Sequence, residues 1–301
     1  MIDFDEDYQR WQSTRRVEVP GGAVECYLYN DDPSLPTVIA VNGGPGLPCD
    51  YIREPHSFLS RSGIRLIAYD QLGTGASTQT DDETLFTIER YTEELDSVRQ
   101  AMVGDAPVHL IGQSWGGWLC VEYTTTYPER VSSLVLENTS ADIPFLRGEL
   151  DRLKRKLGDE IYDMMRFYEA RRDYEHPEYT AALTLLEHRH VLRLREKPKC
   201  LERSLGSFAK EIYQFMQGPN EFLFTGNLKE WSRLSDLHKI KCPTKIICGR
   251  YDEMTPENAY QMHREIEDSD IYVFENSSHS PFFEEPEKFR SELLGFYKKI
   301  L

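Results

Sequence analysis

The chain has 301 residues, 40% of them hydrophobic and 12% aromatic, enough to bury a full core in one large domain or one domain plus an insertion. Its 51 acidic against 35 basic residues give a formal charge of −16, which excludes a nucleic-acid partner gripped through its phosphates, since that takes a basic face. No stretch approaches the roughly 18–20 apolar residues that span a bilayer, and "MIDFDEDYQRWQSTRR" has neither the basic start nor the apolar run of a targeting segment, so a cytoplasmic protein with no membrane partner is expected. Six cysteines (Cys26, Cys49, Cys120, Cys200, Cys242, Cys248) contain no C-x-x-C pair and read as free thiols of a reducing compartment.

In chain order, "RRVEVP" and "AVECYLYN" flank Gly21-Gly22 and predict a hairpin, because paired glycines supply the positive φ of a two-residue turn. Buried-looking strands follow: "TVIAV" (37–41), "IRLIAY" (64–69), "VHLI" (108–111), "SLVLE" (133–137), "TKIICG" (244–249) and "DIYVF" (270–274). Their apolar runs are continuous rather than alternating, the mark of parallel strands covered on both faces. Helix-length segments lie between most of them, including "TIERYTEELDSVRQAM" and "WLCVEYTTTYPERV", and "PEKFRSELLGFYKKIL" closes the chain. This alternation implies right-handed crossovers and an α/β fold with a mostly parallel, eight-stranded sheet.

From about 140 to 236 the rhythm breaks. No convincing strand occurs there, but amphipathic helical patterns do: "FLRGELDRLKRKLG", "DEIYDMMRFYEARR", "PEYTAALTLLEHRHVLRLR" and "FAKEIYQFMQ", broken at Gly158, Pro177, Pro198 and Gly218. The expected organisation is a core of residues 1–139 and 237–301 interrupted by a helical cap, 140–236.

Gly112-Gln113-Ser114-Trp115-Gly116 fits G-x-S-x-G and falls between a strand and a helix, where the motif exposes its serine on a sharp turn. A serine nucleophile needs a base, and the base an orienting acid, expected at later strand ends in the order Ser, Asp, His. "IICGRYDEMTP" offers Asp252 and "YVFENSSHSPFFEEP" offers His279. Of the eight histidines, His279 alone follows a late strand inside a small-residue loop; His188 and His190, two apart on a helix, point to different sides and make a poor metal pair. An oxyanion needs two backbone N–H donors, expected from Trp115, after the serine, and from Gly44 in "VNGGPG" (41–46).

These pieces together resemble the α/β-hydrolase superfamily and, within it, the proline iminopeptidases, especially the small tricorn-interacting aminopeptidase type. "NGGPG" is similar to that family's HGGPG and "YDQLGTGAS" (69–77) to its DQ-x-G-x-G-x-S turn, while "GQSWGG", "YDEMTP" and "SSHS" match in order and spacing. "YEHPEYTAALTLLEHRHVLR" (174–193) and "GPNEFLFTGNLKEWSRLSDLHKIKCPT" (218–244) resemble its cap segments, so most of the chain is covered. The resemblance implies carboxylates that hold a substrate's free α-ammonium, at the matching positions Glu221 and Glu253, because a chain-internal peptide bond offers no cation to offset their repulsion.

Two departures stand out: Asn42 replaces the usual His before the glycines, and Gly75-Ala76-Ser77 lacks the Arg that the family has before the Ser. Asn42 can still hydrogen-bond to order the loop. The expectation is a serine hydrolase that releases proline, or another small or apolar N-terminal residue, from short peptides, amides or arylamides. No metal or organic cofactor is expected. An amino-acid amidase and a carboxylesterase or lactonase would keep the triad, the latter ignoring the ammonium clamp. A non-catalytic receptor-like relative would not need a complete triad, and Ser114 at the nucleophile position argues against epoxide hydrolases and haloalkane dehalogenases.

Overall fold

A computed structural model describes residues 8–301 of the chain. Its centre is an eight-stranded sheet: β1 (Ser13–Val19), β2 (Gly22–Tyr29), β3 (Thr37–Val41), β4 (Arg65–Asp70), β5 (Val108–Gln113), β6 (Val131–Glu137), β7 (Thr244–Gly249) and β8 (Ser269–Phe274). They lie in the order β1-β2-β4-β3-β5-β6-β7-β8; β1 and β2 run antiparallel to their neighbours and the rest are parallel.

β3 and β7 are buried along their whole length, as their unbroken apolar runs require. Alternate residues feed opposite faces. Ile39, Val41, Ile246 and Cys248 join the larger core cluster, whereas Val38, Ala40 and Ile247 join the smaller one on the other side. Helices Ile88–Val103, Trp115–Thr126 and Pro256–Glu265 cover the first face, and helix Pro286–Ile300 covers the second with Phe289, Leu293 and Tyr297. Helix Ile88–Val103 shows how locally these elements are written: Thr87 Oγ1 caps it by accepting from Arg90 N, Tyr91, Leu95, Val98 and Met102 form its buried stripe, and Gly104, at φ 62°, ends it. Helix Trp115–Thr126 is buried through Thr125 and has no polar face.

The hairpin turns one residue earlier than the paired glycines suggest. Val19 pairs with Gly22, leaving Pro20-Gly21 as the two-residue loop, with Gly21 at φ 93°. Proline's fixed φ followed by a glycine with positive φ is the pattern of a type II turn, which outcompetes a Gly-Gly turn here. The helix expected over 118–131 stops at Thr126, because Pro128 starts a separate turn of 3₁₀ helix, Pro128–Arg130.

Between β6 and β7 lie five α-helices: Ile143–Arg155, Asp159–Arg171, Pro177–His190, Lys199–Gly206 and Lys210–Met216. The third ends at His190 instead of running on through "VLRLR", and the fourth has no counterpart among the sequence expectations. That fourth helix is short and mostly polar, and it is held by Ser204 Oγ, which accepts from Tyr51 N at 3.1 Å and donates to Pro48 O at 3.0 Å. The insertion leaves and rejoins the core as a paired stem: Ile143 N donates to Trp231 O and Arg233 N to Ala141 O. Glu122, in the buried helix, accepts from Trp231 Nε1 at 2.9 Å and Arg233 Nε at 2.6 Å. The helices therefore sit over the carboxyl ends of the strands, where Ser114, Asp252 and His279 all lie.

Candidate active site

Ser114 stands between β5 and the buried helix with φ 56° and ψ −123°, a conformation that a non-glycine residue holds only when its surroundings enforce it, at a cost of order 1–3 kcal/mol. The enforcement is visible. Ser114 N donates to Glu137 O at 3.0 Å, and Thr139 Oγ1 donates to Ser114 O at 2.8 Å. The flanking glycines allow close backbone approach: a Cβ at Gly112 would fall 2.4 Å from Gly116 O, and one at Gly116 would fall 2.2 Å from Val41 O.

The loop after β3 packs directly against this turn. A Cβ on Gly43 would come within 2.4 Å of Gln113 Oε1 and 2.7 Å of Ser114 Cβ. Gly43 N donates to the Tyr51 hydroxyl, which in turn donates to Gln113 Oε1 at 2.6 Å. Asn42 Nδ2 donates to Leu47 O at 2.6 Å, so the residue that replaces histidine still ties the loop together. Gly44 takes φ 56°. Among the described residues neither Gly44 N–H nor Trp115 N–H has an acceptor, so both donors remain free for a ligand oxygen.

Asp252 follows β7 and His279 follows β8. His279 Nδ1 lies 2.7 Å from Asp252 Oδ1, which also accepts from Met254 N at 2.9 Å. The other carboxylate oxygen, Oδ2, accepts from Asn138 Nδ2 at 2.6 Å. The same amide reaches Ser278 O at 3.0 Å, so one side chain joins the acid to the loop that carries the histidine. Asn138 is fully buried and has φ 49°, and its own N–H donates to Ile247 O at 2.7 Å. Gln113 Nε2 adds a further tie to His279 O at 3.3 Å. Asp252 accepts on both oxygens and is thereby fixed as an acceptor for Nδ1–H, leaving Nε2 as the ring nitrogen able to exchange a proton. Ser114 Oγ has no hydrogen-bond partner among the described residues. Instead, His279 Nε2 lies 3.7 Å from Glu253 Oε1.

Glu253 is 1% exposed, and neither carboxylate oxygen has a hydrogen-bond partner. Burial, then the charges of Glu221, Asp252 and Glu187, push its carboxyl well above the usual carboxylate range. Glu221 comes from the insertion and accepts from Gln217 Nε2 at 2.8 Å. Burial first and then Glu221, Glu253 and Glu187 raise the Tyr213 hydroxyl, which stands among all three carboxylates. The structure therefore brings Glu221 and Glu253 together beside His279. Tyr213 and Glu187 were not among the sequence expectations, and neither was Asn138. Glu187 sits on a solvent-facing stretch of helix Pro177–His190, where a glutamate carries no signal. His190, on the same helix, docks its Nδ1 2.7 Å from Tyr251 O and accepts Glu253 N at its carbonyl, whereas His188 is exposed. Among the described residues no group of His, Cys, Asp and Glu is arranged to hold a metal ion.

A hydroxyl on a strained turn, two free N–H donors beside it and a carboxylate-oriented imidazole are the parts that acyl transfer requires. Comparisons with known proteins give the class of the fold. Residues 36–286 match the family model of the alpha/beta hydrolase fold, which defines the class. A proline iminopeptidase of Saccharolobus solfataricus is 34% identical over 300 residues, covering 99% of this chain and 94% of the relative. The solved proline iminopeptidase of Mycobacterium smegmatis superposes with a TM-score of 0.87 at 29% identity, covering 95% of this chain and 98% of that one. VinJ superposes at 0.90, also at 29% identity, with coverage of 97% and 100%. The chain belongs to the proline iminopeptidase family of α/β hydrolases.

Proposed function

We propose that this hydrolase removes one N-terminal residue, proline or another small or apolar amino acid, from short peptides, amides or arylamides by way of an acyl-enzyme on Ser114. The observation that carries the reading is the pairing of a triad-like constellation with a buried carboxyl group: neither Glu253 oxygen has a hydrogen-bond partner, and Oε1 lies 3.7 Å from His279 Nε2. A scissile carbonyl placed at Ser114 has its α-ammonium two bonds from the reacting carbon, within the reach of Glu253 and Glu221.

In this mechanism His279, oriented by Asp252, takes the Ser114 proton as the hydroxyl attacks the carbonyl carbon. Gly44 N–H and Trp115 N–H receive the oxyanion. His279 returns the proton to the leaving amine, the amine departs, and a water deprotonated by the same imidazole releases the amino acid. The helical insertion, roughly 140–236, acts as a cap that limits the site to short substrates: Ala209 N donates to Gly46 O at 2.9 Å, seating the insertion directly on the glycine loop. The relatives' name, proline iminopeptidase, agrees with this substrate class.

The test is a panel of prolyl, alanyl and phenylalanyl arylamides beside a simple acyl ester, with Ser114→Ala as the control. Turnover of the free-amine arylamides that is lost in Ser114→Ala supports the reading, and the panel names the preferred residue. Preferential turnover of the plain ester, which carries no amine, would make the protein an esterase on the same scaffold.

A further inference from the structure

The geometry around His279 poses a problem and also answers it. A general base should face its nucleophile, yet His279 Nε2 has Glu253 Oε1 3.7 Å away and forms no hydrogen bond with Ser114 Oγ. Glu253 has no other donor near its two oxygens, and it is buried where an unpaired charge is costly. Each group supplies what the other lacks. Resting on the amine-clamp reading above, we propose that in the free enzyme Glu253 and the imidazole of His279 share one proton that keeps the base idle, and that the substrate's α-ammonium, on pairing with Glu253, expels this proton and frees Nε2 to take the proton of Ser114.

The balance is one cation for another. Free enzyme holds a proton on the Glu253–His279 pair; bound enzyme holds the ammonium against a Glu253 carboxylate, and one proton has left to solvent. His279 keeps its Nδ1–H on Asp252 throughout. The ammonium therefore confers turnover as well as affinity, so that a molecule without one meets a serine whose base is occupied.

The surroundings favour the proton's presence. His279 is faced by Asp252 and Glu253 from the loop after β7, by Glu221 from the insertion and by Glu284 from helix Pro281–Glu284. Burial opposes its protonation, but Asp252, Glu221 and Glu284 outweigh that and raise the imidazole above its ordinary value. Glu253 is faced by Glu221, Asp252 and Glu187, with Lys197 offsetting Glu187 alone, and its carboxyl too is raised. Both partners thus hold protons more tightly than usual. The sign follows: below the titration of the pair the base is idle, above it the base is free, and an ammonium moves that midpoint to lower pH.

The experiment uses the intact enzyme and two small probes, phenylmethanesulfonyl fluoride, which is neutral and modifies the serine, and ethylammonium chloride. Ethylammonium is expected to raise the rate of sulfonylation several-fold at pH 6–7, with the two rates converging at alkaline pH. It should also release close to one proton per site to a weakly buffered indicator solution. In Glu253→Gln the acid limb of sulfonylation should move to lower pH and the ammonium effect should vanish. The proton-release measurement on wild type stands if that variant fails to fold. Ethylammonium that competes with arylamide substrates but only slows sulfonylation, with no proton released, would overturn the switch while leaving the clamp intact. Ethylammonium that neither competes nor accelerates would remove the clamp itself, and the switch with it.

Discussion

Two regions meet at the candidate site and are built on opposite terms. Around Ser114 and Asp252 the supporting groups are tied down: Asp252 accepts on both oxygens, Asn138 bridges two loops, and Tyr51 and Gln113 lock the glycine loop. Around Glu253 and Glu221 carboxyl groups crowd together, and neither Glu253 oxygen has a hydrogen-bond partner. The supports of the first region are bonded within the protein and can be rigid. The second gathers buried carboxyl groups, and burial and its neighbours push Glu253 up. On the proposed reading, the difference teaches where stability is given up for function: the groups that position Ser114 and His279 are held by bonds within the protein, whereas recognition would rest on a deficit that a positively charged substrate removes.

Replacing Ser114 by Ala should remove the nucleophile while leaving its supports intact, lowering kcat on arylamides by at least ~10⁴-fold with the fold retained by circular dichroism. Glu221→Gln attacks the other region and should act mainly on KM for free-amine substrates, raising it about 10–100-fold, in line with the ~1.5–3 kcal/mol of a hydrogen bond to a charged group. A fall in kcat with KM unchanged would instead place Glu221 in the chemistry. Asn138→Ala loosens both Asp252 and the His279 loop, and a loss of about tenfold in kcat with KM little changed is expected from steady-state kinetics. Glu253→Gln sharpens the contrast, since it should weaken catalysis yet stabilise the protein. A carboxyl raised on folding contributes fully at acid pH and loses that contribution as pH rises through its folded value. The gain in Tm from Glu253→Gln should therefore be small at pH 5 and grow toward pH 9. The smallest effect expected is from His188→Ala, an exposed position of the helical insertion, where Tm and kcat/KM should both stay near wild type.

How much of this could be read in the sequence follows the same division. The sheet was legible because buried parallel strands are written as continuous apolar runs, and Ser114, Asp252 and His279 because each stands just past such a run. The hairpin was legible but its turn was displaced by one residue, since Pro20 competes for the first turn position. Helix Lys199–Gly206 was not legible, being short, mostly polar and held by tertiary bonds from Ser204. Asn138 is the instructive omission. It stands just past β6 as the triad candidates stand past their strands, but an asparagine there is also an ordinary strand-ending residue, and only the fold brings it to Asp252. Glu221 and Glu253 were legible through family resemblance, not through their own surroundings. Glu187 joins them only because the insertion folds back over the sheet.

The central claim is that a free α-ammonium is what the unsatisfied carboxylates await. It is tested most directly by kcat/KM for prolyl and alanyl arylamides against their N-acetylated forms, in wild type and in Glu221→Gln. The account predicts that acetylation abolishes turnover in wild type and that the penalty shrinks in Glu221→Gln, where the free-amine substrates have lost most of their advantage. Acetylated substrates that react as well as the free amines in wild type would contradict it.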